Sequence, residues 1–323
     1  MARSLYNKIK KLGADLYAKI IALPVGNQIR KIQNINSPFF IIAIPGSLHI
    51  VELCLHYVPS SQNIIIISNG LSQWEYEWSR DNLQYAGLVS ISKILEHGQV
   101  IDIIINHYQK PFGILDYDCF VFNPSIYSKI TDIDNNTMLN ALFVHRNELM
   151  NLDIPETFIL YINCELIKKI QTKYDVNSQI QKFHQVSKKA KVALENIGIN
   201  EMNYPEEHKD YFDSLRLWYC LGILEGYKTN FLKRLPTVSS SSDDIFHVGG
   251  SSNKLNFNSK WVLRGSYFWW RVLETCRHKE IQKVYHERYG NYRSSDILRK
   301  NQDLSLQLEP EFFQQVEKII AFE

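Results

Sequence analysis

Pro111-Phe112-Gly113-Ile114-Leu115-Asp116-Tyr117-Asp118-Cys119-Phe120-Val121-Phe122 is the stretch on which the reading of this chain turns. An apolar strand delivers two carboxylates, one residue apart, and becomes apolar again. Residues i and i+2 of a strand face the same side, so Asp116 and Asp118 are expected to point into one site. Two close carboxylates repel each other unless a cation sits between them. Charged residues are also depleted in strands and costly to bury. The run is therefore a candidate divalent-metal site, with a structural ion pair as the alternative. The bare pattern recurs at Asp132-Ile133-Asp134. There, turn-forming Asn135 and Asn136 follow in a polar stretch, and the pair reads as solvated loop.

Upstream, Phe39 to Ile44 is an apolar run ended by Pro45-Gly46, and Asn63 to Ile67 is a second one ended by Ser68-Asn69-Gly70. Leu88 to Ile91 reads as a short third strand. Helical patterns separate them, around His49–Tyr57, Gln73–Tyr85 and, after His97-Gly98, Gln99–Tyr108. Continuous apolar strands alternating with helices mean a parallel sheet covered on both faces. Ligands of such sheets bind at the carboxyl ends of the strands, where Pro45, Ser68, Asn69 and the Asp116 pair all fall. A further strand is expected at Phe158–Asn163, a long polar helix at Ile180–Asn196 and an apolar-faced helix at Asp213–Gly226. Ser239 to Asp244 is a flexible stretch leading into Ile245-Phe246-His247-Val248-Gly249-Gly250-Ser251-Ser252. No repeat or clear linker divides the chain. Expected are an N-terminal helical segment (1–36), one α/β domain (37–265) and a C-terminal helical extension (266–323).

Composition narrows the function classes. At 323 residues, 45% hydrophobic and 22% charged, the chain is an ordinary globular protein, and its net charge of +2 makes no electrostatic case for nucleic acid. Aromatics at 12% suit a site that stacks rings or sugars, and aromatic cores explain them equally. Five widely spaced cysteines with no Cys-x-x-Cys point to a reducing, cytoplasmic compartment. No apolar stretch approaches a membrane span, and lysines interrupt any secretory signal. From Ser4 to Ile21, Leu5, Ile9, Leu12, Leu16 and Ile20 repeat at helical spacing with lysines between them. The stripe is expected to pack on the domain; the alternative is peripheral contact with an anionic membrane face.

In order, these features resemble a nucleotide-sugar glycosyltransferase of the GT-A fold, Asp-x-Asp type and similar to glycosyltransferase family 2. The resemblance runs over about residues 38–270. It is strongest at His97-Gly98-Gln99 through Asp116-Tyr117-Asp118 and at Phe246 to Ser252. It implies a Rossmann-like, mostly parallel sheet flanked by helices. It implies that Asp116 and Asp118 hold Mn²⁺ or Mg²⁺ against a donor diphosphate, with His247 completing the metal site. Ser68 and Asn69 would approach the base or ribose, although a carboxylate is common where Ser68 stands. An inverting member places a base at a helix start comparable to Asp213, which is equally a favoured N-cap. Glu225 is its competitor.

Other site residues keep two readings. His97 and Gly98 open a helix whose N-terminus favours an anion such as a diphosphate, or His97 is structural. Gly249-Gly250-Ser251-Ser252 offers backbone N–H groups for a closing lid, or is a tight turn needing positive φ. Arg264 is a phosphate ligand or a surface arginine. The resemblance implies a hexosyltransferase acting from a nucleotide-sugar, a UDP-sugar above others, onto a glycan or lipid-linked acceptor. Two rivals stand. One is a haloacid dehalogenase-like phosphatase with Asp116 as nucleophile and Asp118 as acid, from which the chain departs at Cys119-Phe120. The other is an inactive binding module of the same fold.

Overall fold

The structure, a computed structural model, describes residues 2–148, 151–204, 214–236, 241–255 and 258–321. Helix α1 (Ala2–Lys31) leads into β1 (Phe39–Ala43), α2 (Leu48–His56), β2 (Ile64–Asn69), α3 (Gln73–Asn82), β3 (Gly87–Ile91), α4 (His97–His107) and β4 (Phe112–Leu115). All residues of β1, β2 and β4 are buried, as their unbroken apolar runs require. These strands lie in the order β3-β2-β1-β4 and are parallel throughout. Helix α3 starts where Ser72 and Glu75 cap each other reciprocally.

The second half is a different kind of sheet. After β5 (Cys119–Val121) and α5 (Ser125–Ile130) come β6 (Thr137–Asn147), β7 (Leu152–Pro155) and β8 (Ile159–Ile162). Strand β8 pairs antiparallel to β4, and β6 antiparallel to both β8 and β7. Helices α6 (Cys164–Tyr174), α7 (Lys188–Asn196) and α8 (Arg216–Leu224) follow, and β9 (Lys228–Pro236) joins β6 in parallel. The long helix expected from Ile180 is shorter: Phe183–Gln185 is one 3₁₀ turn and the α-helix begins at Lys188, capped by Ser187. Strands β10 (Ser241–Ser242) and β11 (Ile245–His247) complete a small sheet with β5.

Helices α9 (Lys260–Thr275), α10 (Lys279–Tyr289), α11 (Ser294–Arg299), α12 (Gln302–Ser305) and α13 (Pro310–Ile320) close the chain. The boundary expected near Gly265 falls inside α9. Phe268, Trp269 and Trp270 of α9 share one core with β1, α2 and β5, so the C-terminal helices cover a face of the sheet. The opposite face is covered by α1, α4, α6 and α8. Helix α1 corrects the expected packing. Its buried side is formed by Val25 and Ile29, with Tyr17, Ile21 and Ala22 packed against the core. Leu16 and Ile20 of the apolar stripe are exposed instead. Among the described residues no helix is long and apolar enough to cross a membrane.

Candidate metal and donor site

Strands β1 and β4 lie side by side while β2 and β3 continue the other way from β1, so the sheet changes direction between β1 and β4. Such a switch point opens a crevice at the carboxyl ends of the strands. A cavity of about 320 Å³ sits there, lined by Ile44 after β1, Asn69 of β2, Leu95 and His97 before and at the start of α4, and Asp116 to Asp118 after β4. Thr157, Phe158, His247, Gly250, Ser251, Ser252 and Trp261 form the other wall.

The carboxylates do not share a strand face as expected. Strand β4 stops at Leu115, and the Cys119 N–H donates to the Asp116 carbonyl at 3.0 Å, so Asp116-Tyr117-Asp118 is a tight turn. The turn ends β4 because the chain must reverse into β5, which belongs to the second sheet. That pairing is what brings in the histidine. His247 of β11 stands opposite Cys119 of β5, and the Val248 N–H donates to the Asp118 carbonyl at 3.0 Å. The His247 Nε2 lies 3.3 Å from Asp118 Oδ1 and 3.8 Å from Asp116 Oδ2.

Asp116, Asp118 and His247 each offer a ligand atom, all within 4.8 Å of one another. Atoms that share one cation at about 2.1 Å lie about 3 Å apart when adjacent and about 4 Å when opposed, and His247 Nε2 stands at such distances from both carboxylates. Two carboxylates with one imidazole suit Mn²⁺ better than Mg²⁺. Burial works against ionisation of Asp118, but the neighbouring His247, through its charge and its hydrogen bond, outweighs it, holding the carboxyl below the ordinary range. The His247 ring stacks on Phe158 with centroids 3.5 Å apart, which fixes its plane. Behind Phe158, Glu156 and Arg216 form a fully buried ion pair at 2.7 Å that ties this loop to α8.

Glycines place the last wall. Gly249 and Gly250 have φ of +74° and +68°, so the tight-turn reading holds. A Cβ at Gly265 of α9 would stand 2.0 Å from the Gly250 carbonyl carbon, so only glycine lets the turn rest on the helix.

Other expected residues stand elsewhere. Pro45, Ser68 and Gly98 are not among the residues lining the cavity. Gly98 serves close packing instead, since a Cβ there would lie 2.4 Å from the Ser178 carbonyl oxygen. Asn69 lines the cavity, but its amide holds the Leu95 N–H at 2.8 Å and the Leu95 carbonyl at 2.9 Å, shaping the loop before α4. Asp213 lies outside the described residues, and the helix expected from it begins at Arg216. Glu225 is held by Lys173 and Tyr174 away from the cavity. Arg264 is neither a surface residue nor a wall of the cavity; it is buried over the Phe312 ring. The second pair, Asp132 and Asp134, is exposed, with Asp134 accepting from the Asn136 N–H. Phe158 and Trp261 were missed as site residues; aromatic composition alone does not separate them from core.

Residues 25–167 match the StrH glycosyltransferase N-terminal domain family. The dTDP-dihydrostreptose--streptidine-6-phosphate dihydrostreptosyltransferase of Streptomyces griseus is 28% identical over 96 residues, 29% of this chain and 25% of that protein. The match thus spans about a quarter of that relative's length. Among solved structures, the apo form of the glycosyltransferase GlyE of Streptococcus pneumoniae TIGR4 covers 80% of this chain and 65% of its own at 14% identity and TM-score 0.43. A cytidylyltransferase of Leptospira borgpetersenii covers 85% and 99% at 10% identity and TM-score 0.35. Superpositions that shallow decide nothing between these activities. Residues 25–167, which include the Asp116–Asp118 turn, are the part of the chain that is similar to a glycosyltransferase N-terminal domain.

Proposed function

We propose that this protein is a metal-dependent glycosyltransferase of the GT-A type that moves a sugar from a pyrimidine nucleoside diphosphate donor to a glycan or lipid-linked acceptor. One observation carries the reading. The Asp116, Asp118 and His247 ligand atoms converge at the switch point of the sheet, and both carboxylates lie within the glycosyltransferase-related segment. The sequence resemblance favours UDP as the donor nucleotide, and the Streptomyces griseus relative is named for a dTDP-sugar, so both belong in the test.

Asp116, Asp118 and His247 would hold Mn²⁺, which when bound supplies positive charge to the departing diphosphate. The chain's own residues do the rest. The Phe158 ring fixes the His247 plane, so Nε2 stays turned toward both carboxylates. Ser251 lines the cavity beside the carboxylates, its buried hydroxyl without a hydrogen-bond partner among the described residues. Leu95, Phe158 and Trp261 form apolar walls that limit water around the sugar–phosphate bond. His97 at the start of α4 lines the same cavity and would donate from its ring to a phosphate oxygen of the donor.

Thermal unfolding with UDP- and dTDP-sugars, with and without Mn²⁺, tests this directly. A donor at about 100 times its Kd stabilises the native state by about 2.7 kcal/mol. The wild type should show a shift that needs both nucleotide and Mn²⁺. Asp118→Ala should lose it together with sugar transfer, and His247→Ala should raise the Mn²⁺ requirement while keeping the fold. A Mn²⁺-dependent shift unchanged in Asp118→Ala would sink the metal assignment. Phosphate release from generic esters without any nucleotide response would favour the phosphatase.

A further inference from the structure

Among its described side chains, helix α1 carries two apolar faces, and only one of them meets the domain. The exposed one contains Leu16, Ile20 and Leu23, at 61%, 64% and 63% exposure, spaced i, i+4, i+7. In sequence, Leu5, Ile9 and Leu12 continue the same spacing toward the N-terminus. Ile94, in the loop after β3, is 61% exposed as well, and its neighbour Lys93 lies over the Tyr17 ring of α1 at 5.1 Å. The loop thus lies beside α1 and exposes an apolar residue of its own.

Charge is segregated onto the same element. Residues 1–31 hold five lysines and two arginines against Asp15 alone, a net +6 in a chain whose total is +2. The remaining residues are therefore net −4. A basic helix with an unpartnered apolar stripe, mounted on an acidic body, matches an anionic lipid surface, which takes the lysines at its headgroups and the leucines at its acyl boundary. A second copy of the chain is a poorer occupant, because pairing the stripe with itself would bring two +6 helices together.

The helix also points the right way. Gln28 pairs with the backbone of Ser90 inside β3, whereas Tyr17 reaches Ser92 beyond its carboxyl end. Going from Gln28 to Tyr17, α1 therefore runs toward the edge of the sheet where Leu95 and His97 line the cavity. Ala2 to Leu16 continue about 22 Å further in the same direction.

We propose that α1 and the Lys93-Ile94 loop dock the protein on an anionic membrane surface, with the carboxyl edge of the sheet facing the headgroups. This stands independently of the transfer chemistry, because binding is read without turnover. The full chain should co-sediment with vesicles of phosphatidylcholine containing about 30% phosphatidylglycerol and not with pure phosphatidylcholine, and the binding should fall as salt rises from about 0.05 to about 0.5 M. Lys8→Glu with Lys10→Glu and Lys11→Glu should weaken it by about fivefold or more per residue. Leu16→Gln with Ile20→Gln and Leu23→Gln should weaken it by about tenfold or more at an unchanged Tm, since all three side chains are already in water. Three results would overturn the proposal: no binding of the wild type to the anionic vesicles, equal binding by the leucine-face variant, or a wild-type dimer that this variant dissolves, which would make the stripe a self-association face.

Discussion

Gly265→Ala adds a single methyl group and tests whether the His247 turn must rest on α9. The new Cβ would lie 2.0 Å from the Gly250 carbonyl carbon, 2.2 Å from its oxygen and 2.4 Å from the Ser251 nitrogen. To reach an ordinary contact near 3.4 Å, backbone has to move by about 1.4 Å, because no flexible side chain is there to yield. Overpacking of this kind costs about 1–3 kcal/mol. The displaced segment includes Ser251, which lines the cavity with Asp118, and it closely follows His247 in the chain. A shift of about 1 Å in positioned groups can lower a rate by about a hundredfold. Gly222→Ala is the control. Its Cβ would meet the Met138 sulfur at 2.4 Å, and a thioether can swing away. Urea unfolding and Mn²⁺-dependent nucleotide binding, measured on both variants, separate the effects. Gly265→Ala should lose stability and at least about tenfold in Mn²⁺-dependent affinity, and Gly222→Ala should keep the affinity. Wild-type affinity in a folded Gly265→Ala would refute the claim that this close approach positions the site.

The buried Glu156–Arg216 pair is exposed by only 2% and 1%, so Glu156→Gln strands a guanidinium in the core and should cost about 3–5 kcal/mol in chemical denaturation. Combining it with Arg216→Met should recover much of that loss, and additive losses would show that the pair is not the cause. Burial lifts the carboxyl of Asp102 to about 6, against donors from Ser178 and Gln171. Its folded value is above its unfolded one, so the stabilisation it lends is complete below about pH 4 and is lost as pH rises through about 6, by up to about 3 kcal/mol. Asp102→Asn should remove this slope from the unfolding free energy between about pH 4 and 7, and an unchanged slope would place the titration elsewhere.

The strands were legible because burial on both faces leaves no periodicity to misread. Phe39 to Ala43 and Ile64 to Ile67 carry no polar residue, and both are wholly buried. The two Asp-x-Asp pairs were also separable, since one follows an apolar run and the other sits among turn residues. The antiparallel half of the sheet was not legible. Nothing in Thr137–Asn147 or Ile159–Ile162 states strand direction, which depends on how the chain returns. The stripe on α1 misled for a related reason: Leu16 and Ile20 repeat at helical spacing, but so do Tyr17, Ile21 and Val25, and spacing alone does not say which face is covered. Asn69 was expected near the donor from its place at a strand end and from the resemblance, and it does line the cavity. In the fold, both of its polar groups hold the Leu95 backbone.

The geometry of the carboxylate turn follows from competition between two sheets. Had β4 continued past Leu115, Asp116 and Asp118 would have shared one face but would have had only β1 and β8 beside them, with no element to supply a third ligand. By turning at Asp116 the chain enters β5, and the only partner β5 has among the described residues is β11. That pairing fixes the register Cys119↔His247 across nearly 130 positions of sequence. Register in an antiparallel pair is set to one residue, because a slip by one sends every side chain to the other face. Phe120 and Phe246, paired in the same ladder, are both fully buried, so burying them enforces the register that aims His247 at the carboxylates. The convergence of Asp116, Asp118 and His247, the proposed ligand set, is therefore specified in part by the register of two buried phenylalanines. Substituting Phe120 or Phe246 by a polar residue should disorganise the site as surely as removing a ligand.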